Sequence, residues 1–106
     1  MERSGPNDDI DKAEALVALA LAFRRRRRFG EAAERSERVL ALRSCPDALT
    51  RQALHILAVH HEHRSKDLRQ ARSFALRSLD HAEPGRRNHV STRVARIERK
   101  LAFRPG

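Results

Sequence analysis

At 106 residues and 12.1 kDa the chain has room for one small domain, which excludes a Rossmann unit with its substrate domain or a barrel. Apolar residues make up 40% and charged residues 35%, too apolar for wholesale disorder, while aromatics supply 4% with neither Trp nor Tyr, so Ala, Leu, Val and four Phe must build the core. Lys and Arg number 23 against 14 Asp and Glu, giving +9, and the excess is uneven: residues 1–22 carry a net −3 and residues 23–106 a net +12.

Residues 1–7 are polar, contain Gly5 and Pro6, and are expected to form a disordered N-terminal segment ahead of a single helical-repeat domain over 8–103. Asp8 and Asp9 suit a helix start, with Asp11 close behind to meet the positive end of the dipole. From Ile10 the apolar positions Ala13, Leu16, Val17, Leu19, Ala20 and Phe23 form a wide helical stripe that ends in the run Arg24–Arg28. The apolar stretch Ala13–Phe23 contains Glu14 and falls short of the roughly 20 residues needed to cross a bilayer, so a buried helix and no membrane partner are expected.

Phe29-Gly30 is expected to break the chain before a second helix over about 31–43, with Ala32, Ala33, Val39, Leu40 and Leu42 inward; the two helices make a hairpin over 10–43. Pro46 suits the first turn of a third helix, about 47–64, that carries Leu49, Ala53, Leu54, Leu57, Ala58 and His61 at three-to-four spacing. Ser65-Lys66-Asp67 interrupts, and a fourth helix over about 68–81 completes a second hairpin, 47–82, with Leu68, Ala71, Ala75, Leu76 and Leu79 inward. After Pro84-Gly85 a last helix over 88–103 shows the narrow seam Val90, Val94, Ile97 and Leu101 and is expected to cap the array. No stretch alternates as a half-buried strand would, so the expected fold class is all-α.

The two hairpins repeat one another. Leu16, Leu19, Ala20 and Phe23 correspond to Leu54, Leu57, Ala58 and His61; beyond the break, Phe29, Glu31 and Ala32 correspond to Leu68, Gln70 and Ala71. The period is 38 between Leu19 and Leu57 and 39 between Ala32 and Ala71. Small residues at Ala20, Ala32, Ala58 and Ala71 let helix backbones approach, with larger side chains filling the grooves beside them.

The Leu-small pair, the aromatic, the turn and the Glu-Ala step over residues 13–83 resemble the tetratricopeptide repeat. His61 stands where that repeat usually has an aromatic, and both units exceed its common length of about 34 residues. The resemblance implies two antiparallel hairpins and a capping helix in a right-handed α-α superhelix, serving as a non-catalytic protein–protein interaction scaffold. Its inner groove would be lined by the first helix of each hairpin, here Glu14, Val17, Leu21 and Arg24, then Gln52, His55, Val59 and Glu62. Of these, Val17, Leu21, Arg24, His55, Val59 and Glu62 are the partner-groove candidates, and the apolar lining favours an apolar or acidic helix as partner. More narrowly, "HHEHRSKDLRQARSFALRSLD" followed by "RVARIERKLA" resembles the helical-repeat tail of bacterial ribonuclease-H-like exonuclease-type proteins. The acidic metal ligands of their nuclease-like domain have no counterpart, so the likeness implies docking onto another domain or nucleic acid and no activity.

Twenty of the 23 bases are Arg, a bias that a GC-rich genome produces as readily as selection for an anion-binding face. On the functional reading, Arg24, Arg25, Arg28, Arg86, Arg87 and Arg93 bind phosphate, and the chain is a basic accessory protein on nucleic-acid backbone, alongside a nuclease-like partner. On the other, Arg24–Arg28 is a solvated helix end, since consecutive positions fan around the helix. Phe23, Phe29, Phe74 and Phe103 are expected in the core and offer no platform for base stacking.

His60 and His63 lie one turn apart beside His61 and Glu62, but no third ligand shares their face, so no metal or cofactor is expected. Cys45, the single cysteine, precedes Pro46 without a base partner. No paired carboxylates, Gly-rich phosphate loop or activated nucleophile is present, so the chain is not expected to be an enzyme. A lone thiol and the absence of a visible secretory signal point to the cytoplasm. Two hairpins and a cap are few for a solenoid, which implies docking on a partner or on a second copy of the chain.

Overall fold

A computed structural model describes residues 6–103. These fold into five α-helices: α1 (Pro6–Arg25), α2 (Phe29–Leu40), α3 (Asp47–His63), α4 (Leu68–Asp80) and α5 (Arg87–Ala102), with one 3₁₀ turn, Pro84–Arg86, leading into α5. No strand occurs among the described residues, and none of the helices is long and apolar enough to cross a membrane.

Each helix packs on the next, and α1 also touches α3. Val17 shares a cluster with Ala53, and three residues further along both helices Ala20 meets Ile56, so α1 and α3 run in the same direction. From α3 to α5 the contacts again advance together, Arg93 on His55 and then Arg96 and Lys100 on Glu62. Helices α1, α3 and α5 are thus parallel, with α2 and α4 as the return limbs. The Cα radius of gyration is 14.8 Å, above the ~13 Å of a spherical domain this size, and the extents are 58 × 31 × 22 Å. Such a stack leaves a side of its helices open.

Alanines sit at the closest approaches. Ala20 and Ala32 are buried together with Ile56, and Ala58 and Ala71 are buried together with Ala75, Val94 and Ile97. Leu54 and Leu57 are fully enclosed. The turns follow the same period. Arg27 (φ 62°) and Lys66 (φ 60°) adopt the left-handed conformation, 39 positions apart, the separation already seen from Ala32 to Ala71.

Several expectations are corrected. Helix α1 is under way at Pro6, ahead of the expected start at Asp8–Asp9, because proline's fixed φ suits a first helical position. Residues 1–5 of the expected disordered segment lie outside the described residues. Asp9 accepts instead a hydrogen bond from the Ser44 N–H at 3.2 Å. The first break falls at Arg26–Arg28, not Phe29-Gly30; Gly30 lies inside α2. Leu19 is 46% and Leu76 37% exposed, since the alanines of the same helices occupy the contact lines. Phe103, expected in the core, follows the end of α5 and is 81% exposed.

Candidate functional site

The open side of the stack carries a groove of about 500 Å³ where the ends of α1, α3 and the turn into α5 converge. Leu21, Ile56 and Val90 give it apolar walls, and Arg24, His55 and Arg86 bring polar groups to it. Each helix delivers its residue by periodicity: Leu21 and Arg24 are three apart on α1, and Gln52, His55 and Ile56 share one face of α3. Arg86 arrives through the 3₁₀ turn that follows Pro84.

His55 is the electrostatic centre. Burial, then the neighbouring charges of Arg93, Arg24 and Arg86, push it down from 6.5 to about 4, so the ring is neutral near pH 7. Arg93 Nη1 donates to His55 Nδ1 at 2.9 Å, which leaves the ring proton on Nε2. Arg51, on the same wall, is committed: it donates to the His81 carbonyl at 3.1 Å and to Glu83 Oε1 at 3.0 Å. Among the described residues Arg24 and Arg86 have no carboxylate partner.

A second recess of about 270 Å³ continues from Arg24 along α3, lined by Phe29, Val59, His60, His63 and Arg64. The Arg64 guanidinium lies 3.8 Å from the centre of the Phe29 ring, a cation–π contact between the hairpins. His60 Nδ1 is buried there without a hydrogen-bond partner.

The six partner-groove candidates separate. Leu21, Arg24 and His55 line the main groove and Val59 the second recess. Val17 is buried with Val39 and Ala53 because α1 turns that face onto α2 and α3. The Glu62 side chain is 0% exposed, covered by α5: Arg96 Nε and Nη2 reach its two oxygens at 2.7 and 2.8 Å, and Lys100 Nζ lies 2.8 Å from Oε2. Hydrogen bonds from Arg96, opposed by burial and reinforced by Lys100, hold this carboxyl at about 2, below its usual 4.5.

The phosphate candidates divide as well. Arg24, Arg86 and Arg93 converge on His55. Arg28 pairs with Glu31, Arg87 Nη1 donates to the Leu79 carbonyl at 3.0 Å, and Arg25 stays exposed away from the groove. The histidine run splits too. His61 turns into the core and stacks on Phe74 at 5.5 Å, with its Nδ1 2.8 Å from Ser65 Oγ. Among the described residues no group of three or more His, Cys, Asp or Glu is placed to hold a metal ion.

Sequence reasoning missed the Glu62–Arg96–Lys100 tie. Its signal was present: Arg93, Arg96 and Lys100 fall on one stripe of α5, and His55 and Glu62, seven apart, on one stripe of α3. Compared with known proteins, the chain matches no family model, no curated protein and no solved structure.

Proposed function

We propose that the chain is a non-catalytic interaction scaffold of tetratricopeptide-repeat type, with two hairpins and the α5 cap forming a short right-handed superhelix that holds a segment of a partner protein. Support comes from the parallel run of α1, α3 and α5 and from alanine pairs one repeat apart. The observation that carries the reading is the open groove in which Leu21, Ile56 and Val90 lie beside Arg24, His55 and Arg86. An apolar strip beside cations suits an amphipathic, acidic segment.

The test places charge on the walls. Leu21→Glu and Val59→Glu each alter a half-buried lining position, and each is expected to abolish capture of a partner that the wild-type chain retains. Arg26→Glu, in the turn and outside the groove, is expected to leave capture intact. Equal capture by all three variants overturns the reading. Sedimentation at micromolar concentration decides whether that partner is a second copy of the chain.

A second reading, binding to nucleic-acid backbone, is favoured by one observation: Arg24 and Arg86 keep their charges uncompensated by any described carboxylate. It requires measurable affinity for DNA or RNA at ~50 mM salt that falls steeply as salt rises.

A further inference from the structure

We propose that one edge of the stack, apart from the groove, binds single-stranded nucleic acid: cations from both hairpin turns and the end of α5 hold the phosphates, and the Phe103 ring stacks on a base.

Because α1, α3 and α5 run parallel, their C-terminal ends share one edge, and the turns that open α2 and α4 lie on it. Side-chain contacts join these ends in a row. Phe29, at the start of α2, meets Arg64 at the end of α3 at 3.8 Å. Lys66 and Leu68 of the second turn then line a recess with Arg99, Lys100 and Phe103 at the end of α5.

The row is cationic throughout. Arg25, Arg26 and Arg27 stand at the first turn, Arg64, Lys66 and Arg69 at the second, and Arg99 in the last turn of α5. All are exposed, and none has a carboxylate partner among the described residues. The acids of this edge are engaged: Glu31 by Arg28, Glu62 by Arg96 and Lys100, and Asp67 as the cap of α4. The opposite edge is mixed, with Asp9, Asp47, Asp80 and Glu83 among Arg43, Arg51 and Arg86. An edge of one sign draws a polyanion, and guanidinium groups, which make up most of the row, take phosphate oxygens two at a time.

Phe103 decides which polyanion. Its ring projects from the end of the row, while Leu68 and Leu101 beside it are half-buried. A base in a single strand offers its face to such a ring, whereas the bases of a duplex are already stacked on one another. A lipid surface takes up apolar area, and one projecting ring supplies little of it.

The test uses the full chain and labelled twelve-nucleotide strands: oligothymidine, its duplex and an abasic strand, beside vesicles of phosphatidylglycerol with phosphatidylcholine. At ~50 mM salt the single strand is expected to bind more tightly than the duplex or the abasic strand, with affinity falling as salt rises. Arg26→Gln, Arg69→Gln and Arg99→Gln together remove one cation from each part of the row. They are expected to weaken binding about tenfold or more and to flatten the log–log salt slope by about two. Arg24→Gln, Arg43→Gln and Arg86→Gln, equal in charge, are expected to retain the wild-type slope. Phe103→Ser is expected to lose about five- to tenfold in affinity. Phe103→Trp introduces the chain's only tryptophan, whose emission the single strand is expected to quench and the abasic strand to leave unchanged. Weakening by the groove set and not by the edge set overturns the edge site in favour of the groove. Equal binding of single, duplex and abasic strands without quenching overturns the choice of a single strand, and binding to the vesicles alone overturns it in favour of a lipid surface. No binding to any strand at ~50 mM salt overturns the proposal outright. The scaffold reading stands on the groove and survives each of these failures.

Discussion

Arg96 embraces Glu62 with two parallel hydrogen bonds, 2.7 and 2.8 Å long, and by doing so fixes α5 against the inner face of α3. The carboxylate is fully enclosed, whereas Arg96 is 37% exposed, so the two partners are not equivalent when one is removed. Arg96→Met leaves the buried charge with Lys100 and with His63, whose Nε2 lies 3.4 Å from Glu62 Oε1, and is expected to cost about 2–4 kcal/mol. Adding Glu62→Gln to that variant is expected to restore part of the loss. Chemical denaturation of the single and double variants checks this; additive losses would show that the two side chains are not coupled.

Acid should loosen the molecule in two stages. His55 has a folded value of about 4 against 6.5 unfolded, so its contribution is complete above pH 6.5 and is lost as pH falls toward 4, where only the unfolded chain takes up the proton. The ring is partly reached by solvent, which limits this stage to about 1–2 kcal/mol. Glu62, held at about 2 against 4.5, contributes fully above pH 4.5, and that contribution disappears as pH falls toward 2. Urea denaturation between pH 7 and 3 should show a steady decline. His55→Gln is expected to flatten the upper stage and leave the lower one.

Close helix packing around Ala71 predicts intolerance of added volume. Ala71 is fully buried among Ala58, Ala75, Val94 and Ile97, so Ala71→Leu is expected to destabilise by about 2–3 kcal/mol through overpacking. Ala15→Leu, on the exposed face of α1, should stay within about 0.5 kcal/mol of wild type. Comparable denaturation midpoints for the two variants would count against the packing described.

Left-handed backbone at Arg27 and Lys66 predicts gains. Glycine adopts φ near +60° without a side-chain penalty, so Lys66→Gly and Arg27→Gly should each raise stability by about 0.5–1 kcal/mol. Next to Lys66, the Asp67 side chain accepts the Gln70 N–H at 3.2 Å as the cap of α4, and Asp67→Ala is expected to cost about 1 kcal/mol. Thermal melts of the three variants read both signs.

The fate of His61 illustrates how much was legible beforehand. Its place in the repeat, aligned with Phe23, marked it as a core position, and it is buried against Phe74. The alanine positions were equally plain, because close approach leaves a spaced pattern of small residues on each helix. Leu19 and Leu76 were misplaced for the opposite reason: a helix this rich in alanine offers several apolar faces, and periodicity does not rank them. In the groove, Leu21, Arg24 and His55 were placed together in advance, but Glu62 was not seen to be covered, since its cover comes from a helix 34 positions away.

By itself the sequence determined that the chain is helical with five helices and which alanines lie at the helix contacts, because these depend on local periodicity and residue size. The tertiary structure alone decided which charges are engaged and which remain free. Arg28, Arg51, Arg87 and Arg96 are absorbed by internal partners, and Arg24 and Arg86 converge on His55 from opposite ends of the chain. Charge strength depends on separation and burial, and those distances exist only once α1, α3 and α5 are side by side.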